Sequence, residues 1–538
     1  MLKKIENTLF KYRLIIFVLI IAVFAGPIYW GIHWLSLDGA AHLYNAQLIR
    51  HLLFAEYPRL ELFCQMNPEP VPNWTGHFIL ALFSSFLPAF VAEKILLAVY
   101  FFGFSLAFRA LVLQFNPRAT WAPLLSVAAL YPVTFIFGFY NYSMACILFL
   151  VLLWYYLRER KKGSIHFQNG LVLFGLFLLL YFSHLMVFGL ALIAICISEG
   201  SLLASQKSPN RPASWQYSLQ NLGAVGLAAL LPLSMGFYYY VWQRPLIGKS
   251  EFIPMEKLVN DFITTAPLIK AEPFNEQLAW RLLVVFITVL AFRFWQAFQM
   301  RDSLSPQVLR FIPKFQKQDG WIVVAILVGF LYFTLPNANG TGGYITTRLG
   351  YFALLALLIW LSAHKMRPWV WFLIILMVLK VCFLHYRQQL QNNKLDYAMV
   401  AAIKQAAQPI KPGSVVLPVN YSSHWQHGHY SNFLGIEKPL VLLENYECAT
   451  GYFPVKWNSE TLPKVILPRA QGTLLSKAWR TSNPKNAPMA ADYVFLLKGG
   501  TYLKNADKVE TIEREMRDLG YKRRVKNDFL ILWEVTKE

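Results

Sequence analysis

The sequence predicts an α-helical polytopic membrane protein that ends in a soluble α/β domain, and three observations carry that reading. Of 538 residues, 56% are hydrophobic and only 15% are charged, against roughly 25% charged in soluble domains. The missing charge is concentrated in long uncharged stretches such as Leu14–Trp30 and Leu185–Ser198, which suit a bilayer core. Beyond residue 388 the pattern changes to short apolar runs bounded by turn residues, which is the signature of strands.

Apolar stretches of about 15 to 22 residues place about eleven spans, near 13–31, 93–114, 120–137, 141–157, 168–183, 185–203, 217–241, 280–298, 321–335, 347–363 and 368–386. The first follows Lys3, Lys4, Lys11 and Arg13 and lacks a convincing small-residue cleavage pattern after Trp30, so it reads as a retained helix. The run His77–Phe90 is interrupted by Ser84, Ser85 and Pro88. It reads as an interfacial or re-entrant helix ending before Glu93 and Lys94. With that choice and a cytoplasmic N-terminus, the basic clusters at Arg109/Arg118, Arg158–Lys162, Lys207/Arg211, Arg301–Lys317 and Lys365/Arg367 all fall on the cytoplasmic side. The other side then carries residues 32–92, residues 242–280 and everything from 388 to 538. The chain divides into a transmembrane domain over 1–387 and an extracytoplasmic domain over 388–538, as expected of a multi-pass protein of a cell's inner (plasma) membrane.

Within the last domain, the runs Ser414–Val419, Pro439–Leu443, Asp492–Leu497 and Asp528–Glu534 read as strands, and Tyr397–Ala407 and Lys508–Leu519 as helices. About 150 residues suffice to bury a separate core.

The formal charge of +21 does not indicate nucleic-acid binding, because the basic residues sit in short clusters between apolar spans, with no basic groove of interleaved aromatics. The five cysteines, Cys64, Cys146, Cys196, Cys382 and Cys448, show no paired spacing, so neither a disulfide framework nor a zinc site is indicated.

Candidate chemistry gathers on the outer face. Asp38 follows the first span in the segment Leu35–Tyr44. A carboxylate at the lipid surface is costly unless it serves a cavity, a partner or a substrate. Asp38 and His42 are four apart and share a helix face with Asn45 next along it; Tyr44 is on the same stretch. A carboxylate there suits proton removal from a nucleophile or the holding of a divalent cation, and it could also cap the helix that begins at Gly39. The glycine-rich stretch Leu335–Leu349 leads into a span with Arg348 at its mouth. Glycines admit close backbone approach, and an arginine can grip a phosphate bidentately; snorkelling above an ordinary turn is the alternative. Asn141 and His184 put further polar groups at this face, His184 equally suited to bonding a neighbouring helix. Lys380, near the outer end of the last span, suits snorkelling or a phosphate contact. His424, His427 and His429 lack a carboxylate or cysteine partner at ligand spacing, so that stretch reads as a loop lining an acceptor path instead of a metal site. Glu444–Trp457 mixes aromatics, carboxylates and glycine, a composition suited to carbohydrate stacking or to a contact between domain and membrane.

The layout resembles the GT-C superfamily of polytopic glycosyltransferases, including the protein O-mannosyltransferase and lipid A aminoarabinose transferase types. Asp38 matches the acidic position after the first span, His77–Phe90 resembles an interface helix, and Arg348 is placed like the basic residues that hold the carrier phosphate. Many members have an Asp-Glu pair where this chain has Asp38-Gly39, which leaves the need for a divalent cation open. The segments Asp38–Asn45, Gly138–Asn141 and Asn445–Glu447 are also similar to bacterial membrane proteins described only as glycosyltransferase-like. The resemblance implies a polyprenyl-phosphate sugar donor, a glycan, lipid or protein acceptor, and surrounding membrane lipids as partners. It further implies that Asp38 deprotonates the acceptor hydroxyl, that transfer inverts the anomeric carbon, and that Arg348, His42, Tyr44, Asn141 and His184 contact substrate. A transporter or flippase of lipid-linked saccharides, or a non-catalytic scaffold, are the competing readings; the former should show internal repeats and charged or broken helices near the midplane.

Overall fold

The computed structural model describes residues 2–205, 213–243, 250–269, 271, 273–299, 314–339, 342–392, 394–458, 491–503, 506–518 and 520–535. Among them, nine helices are long and apolar enough to cross a membrane: Phe10–Tyr29, Ala89–Phe115, Tyr140–Arg160, Leu185–Ala204, Trp215–Trp242, Phe274–Phe298, Lys317–Thr334, Ile345–Ser362 and Pro368–Leu390. The basic clusters at Lys207/Arg211 and at 301–313 lie outside the described residues.

Two expected spans take other forms. The stretch expected at 168–183 is the helix Phe167–Ser183 of 17 residues, about 25 Å long and slightly short of a ~30 Å hydrocarbon core. The stretch expected as a helix over 120–137 is a 3-10 helix, Ala122–Ala129, followed by the single turn Val133–Ile136. Pro123 and Pro132 each remove a backbone donor and break a continuous α-helix here. The segment still runs the length of the bundle. At one end Asn116 Nδ2 donates to His364 O (3.2 Å), midway Tyr351 donates to Ala129 O (3.2 Å), and at the other end Asp38 N donates to Phe137 O (2.9 Å). All of Ala122–Ala129 is buried, the condition under which irregular backbone is tolerated at that depth.

His77 belongs to a helix, Thr75–Ser84, of only 10 residues. About 15 Å long, it cannot cross. It turns Phe78 and Leu82 outward and His77, Leu80 and Ala81 inward. The next helix begins at Ala89, so Glu93 lies inside it and not at its boundary as expected. That shift is stabilised by partners: the buried Glu93 carboxylate accepts from His33 Nδ1 (3.1 Å), Trp34 N (3.3 Å) and Tyr140 OH (2.8 Å). Lys380 also departs from expectation, because its helix continues to Asn392 and leaves it mid-helix and exposed.

The two ends of the bundle differ in charge. At one end Arg13 donates to Pro117 O (3.3 Å) and Lys161 to Gln114 O (2.8 Å). Two ion pairs are buried toward it: Arg160 with Glu199 (2.8 Å) and Arg293 with Asp319 (2.6 Å), the latter carboxylate also accepting from Trp360 Nε1 (2.9 Å). Asp38 and the start of the helix Ile345–Ser362 occupy the opposite end.

Beyond the last span, the helix Lys394–Ala407 leads into strands β2 (Val415–Asn420), β3 (Val441–Leu442), β5 (Tyr493–Leu497), β6 (Tyr521–Lys526) and β7 (Leu530–Val535). They form one sheet in the order β3-β2-β5-β7-β6, parallel across β3-β2-β5 and antiparallel across β5-β7-β6. The charged strand β6 had no apolar alternation to announce it; lysines and arginines suit a sheet edge. A second, two-stranded sheet pairs β1 (Cys64–Met66) with β4 (Val455–Trp457), Cys64 opposite Trp457. It ties the loop after the first span to the C-terminal domain.

Candidate functional site

The site is assembled where those two regions meet. Asp38 precedes the helix Gly39–Phe54 at its N-cap position, yet its carboxylate makes no cap bond; Ser36 Oγ accepts from Gly39 N instead (3.2 Å). Capping therefore does not occupy the acid. The turn beneath it requires Gly138, whose φ is +83 and whose added Cβ would lie 2.5 Å from Ser36 Oγ and 2.7 Å from Gly39 N.

Asp38 is largely enclosed, its side chain 13% exposed, and the His429 ring is beside it, with Nε2 at 3.7 Å from Oδ1. Burial raises the carboxyl above its ordinary range; the opposing pull of His429 and His42 does not cancel that, and Glu447 adds to it. Burial likewise pushes His429 below the usual imidazole range, against the pull of Asp38 and Glu447. His429 Nδ1 is buried without a hydrogen-bond partner, and its ring stacks on Tyr446 (4.4 Å, 30°).

One turn on from Asp38, His42 Nδ1 donates to Glu447 Oε1 (2.6 Å), while His77 Nε2 donates to Oε2 (2.7 Å). All three are buried. Burial alone would raise Glu447, but the two histidines outweigh it and hold the carboxyl down at about 2. His42 is raised: burial opposes its charge, and Glu447 with Asp38 prevails. Asn141 completes the set, its Oδ1 accepting from Gly76 N (2.7 Å) and its Nδ2 donating to His77 Nδ1 (3.2 Å). These three ligand-bearing side chains are also the residues beside Asp38 that could hold a divalent cation, two imidazole nitrogens and a carboxylate being a zinc-type donor set.

Arg348 faces the same chamber from the first turn of Ile345–Ser362. Its Nη1 donates to Gly343 O (2.8 Å), and its guanidinium lies 4.7 Å from the Phe139 ring and 5.7 Å from Tyr142. Nε is buried and unpartnered. The Asp38 carboxylate acts on it electrostatically. His184 stands at its side, edge-on to Tyr142 (5.2 Å), with a buried Nδ1 that has no partner. Residues 340–341 of the glycine-rich loop lie outside the described residues.

Tyr44 takes a different place from the one expected. Its hydroxyl donates to Leu440 O (2.7 Å) and accepts from Leu442 N (3.2 Å), so it anchors the helix to β3 and has no hydroxyl capacity directed at the chamber. Conversely, Glu447, His77 and His429 were not singled out as site residues, although each lay in a stretch that drew attention for another reason.

An apolar cavity of about 690 Å³ is lined by Trp74, Phe78, Val99, Met144 and Phe182. Trp74 Nε1 is buried there without a partner.

The chain is thus a polytopic helical bundle whose first loop meets a C-terminal α/β domain. Among solved structures, the chain is similar to the crystal structure of ArnT from Cupriavidus metallidurans bound to undecaprenyl phosphate, with a TM-score of 0.51, 9% identity and 97% of each chain covered. The apo state of that ArnT aligns with a TM-score of 0.48 at 10% identity, again over 97% of each chain. No protein-family model and no curated protein sequence matches the chain.

Proposed function

We propose that this protein is a membrane glycosyltransferase that moves a sugar from a polyprenyl-phosphate donor to an acceptor hydroxyl, with inversion. The observation that carries the reading is a carboxylate and a guanidinium facing one enclosed chamber with neither neutralised by the other's kind at ion-pair distance. Arg348 has a buried Nε without a partner, and Asp38 has the Tyr446 hydroxyl beside it and the His429 ring at 3.7 Å, with no cation at ion-pair contact closer than that among the described residues. The similar fold was solved with undecaprenyl phosphate bound, which supports a polyprenyl phosphate as the carrier here.

Asp38 removes the acceptor's proton as its oxygen attacks the anomeric carbon. The bond from that carbon to the phosphate oxygen breaks, and negative charge grows on the departing phosphate. Arg348 meets that charge, with His184 beside it; a donor already aimed at charge that develops in the transition state accelerates the step. The prenyl chain lies between helices of the bundle. Glu447 fixes His42 and His77, and so the edge of the chamber facing Asp38. A divalent cation held by His42, His77 and Glu447 would supply Lewis-acid stabilisation of an oxyanion. The basic end of the bundle is then cytoplasmic, in line with the positive-inside rule, and the chamber opens on the outer side of the inner membrane.

The test is sugar transfer from radiolabelled polyprenyl-phosphate sugars in membranes holding the intact chain, Asp38→Asn or Arg348→Ala at matched levels of folded protein. Transfer by the intact chain that is lost in both variants supports the reading. Undiminished transfer by Asp38→Asn removes Asp38 as the base, and no transfer by the intact chain with any donor overturns the proposal.

A further inference from the structure

His424 and His427 were set aside as metal ligands because no carboxylate lay at ligand spacing in the sequence. The fold supplies one. Asp396, on the helix Lys394–Ala407 just past the last span, places Oδ1 at 3.1 Å from His427 Nε2, and a ring nitrogen of His424 lies within 4.8 Å of both ligand atoms. His424, His427 and Tyr502 pack ring to ring at 4.6–5.5 Å.

We propose that Asp396, His424 and His427 form a zinc-class divalent metal site that staples the helix Lys394–Ala407, the entry to the C-terminal domain, to the 424–427 segment of that domain. Two imidazoles and one carboxylate are a recognised zinc donor set, and tetrahedral ligands at about 2.0–2.1 Å stand roughly 3.3 Å apart, close to the 3.1 Å between His427 and Asp396. Two of the three residues have an outer partner of the kind that orients metal ligands. Ser422 Oγ lies 2.6 Å from His427 Nδ1, the other ring nitrogen. Tyr430 OH donates to Asp396 Oδ2 (3.3 Å), the other carboxylate oxygen. With metal bound, His427 presents a bare Nε2 to the ion and its Nδ1–H donates to Ser422 Oγ. His424 Nδ1 is buried and makes no hydrogen bond, while the residue itself is half-buried, which leaves the fourth position for water.

The same Ser422–His427–Asp396 line could be taken for a nucleophile with its base. His427 is 0% exposed and has no route to deliver a proton to a leaving group in solvent. The unpartnered His424 nitrogen has no role in that alternative and has one in the metal site.

The experiment uses the full-length protein in detergent, stripped with a chelator and titrated with Co²⁺, whose visible absorption reports tetrahedral nitrogen and oxygen ligation. One equivalent of Co²⁺ with tetrahedral bands, displaced by Zn²⁺, is expected for the intact chain and for His77→Ala. Loss of at least tenfold in affinity is expected for His424→Gln, a half-buried position where replacement leaves the core untouched, and for Asp396→Asn. Thermal unfolding should rise on adding Zn²⁺ in the intact chain and not in His424→Gln. No Co²⁺ binding, or binding lost with His77→Ala and unchanged in His424→Gln, overturns the proposal; the first result leaves the sugar-transfer reading standing, since none of these three residues takes part in it, and the second moves the metal to the His42–His77–Glu447 cluster.

Discussion

The two ends of the helix bundle both bury charge, and they do so in opposite ways. Toward the basic end, Arg293 and Arg160 each have a carboxylate within 2.8 Å, and Asp319 also holds Trp360. At the chamber end, Arg348 spends one nitrogen on Gly343 O and rests on aromatic rings, and Asp38 has His429 no nearer than 3.7 Å. A charge closed by its partner holds helices together. A charge left open in an enclosed site is held for something that arrives. Burial of an incompletely paired charge costs stability, and the ion pairs at Arg293 and Arg160 reduce that cost where Asp38 and Arg348 do not.

Breaking each end in turn separates these roles. Asp38→Asn should give the largest effect on activity, a loss of about 10²–10⁴ in the rate of transfer, the range general-base removal produces, with thermal unfolding of the purified protein changed little. Asp319→Ala should do the reverse. It leaves Arg293 buried without its partner, a loss on the order of 3–5 kcal/mol, read as a fall in unfolding temperature and in folded yield, with transfer per folded molecule retained.

Acid should sharpen the contrast within the chamber itself. Glu447 is held at about 2 against an ordinary 4.5, so it contributes stability that is present above about 4.5 and lost as pH falls toward 2. Linkage puts that contribution on the order of 3 kcal/mol. Glu447→Gln should flatten the pH dependence of unfolding in that window; an unchanged profile would show that His42 and His77 are held by other contacts. Asp38 moves the other way: its carboxyl is raised, so transfer should fall as pH drops through a value above the usual carboxylate range, and the pH–rate profile reads that limb directly. The smallest effect is expected at Tyr44→Phe. Removing a hydroxyl that bonds Leu440 and Leu442 should cost about 1 kcal/mol and leave transfer unchanged, whereas a selective loss of transfer would return Tyr44 to the substrate.

The same contrast explains what was legible in the sequence. Long apolar runs announce spans because the bilayer demands about 20 consecutive apolar residues, and most helices fell within a few residues of expectation. The segment 120–137 misled because its composition is apolar throughout, while Pro123 and Pro132 decide its backbone form. Asp38, His42 and Arg348 stood out as charges or imidazoles at span mouths. Glu447 did not, because its bonds to His77 and His42 span 370 and 405 residues and nothing local encodes them. Asp396 was missed for the same reason. Tyr44, two residues past His42 and so about 200° around the helix, turns its hydroxyl to Leu440 and Leu442.

The most direct test of the open-charge account is the affinity of purified protein for a radiolabelled polyprenyl phosphate, measured for the intact chain, Arg348→Ala and Asp319→Asn at equal amounts of folded protein. The account predicts saturable binding that Arg348→Ala weakens at least tenfold and Asp319→Asn leaves within about twofold, since an open phosphate contact is worth roughly 1.5–3 kcal/mol. Equal binding by the intact chain and Arg348→Ala would contradict it.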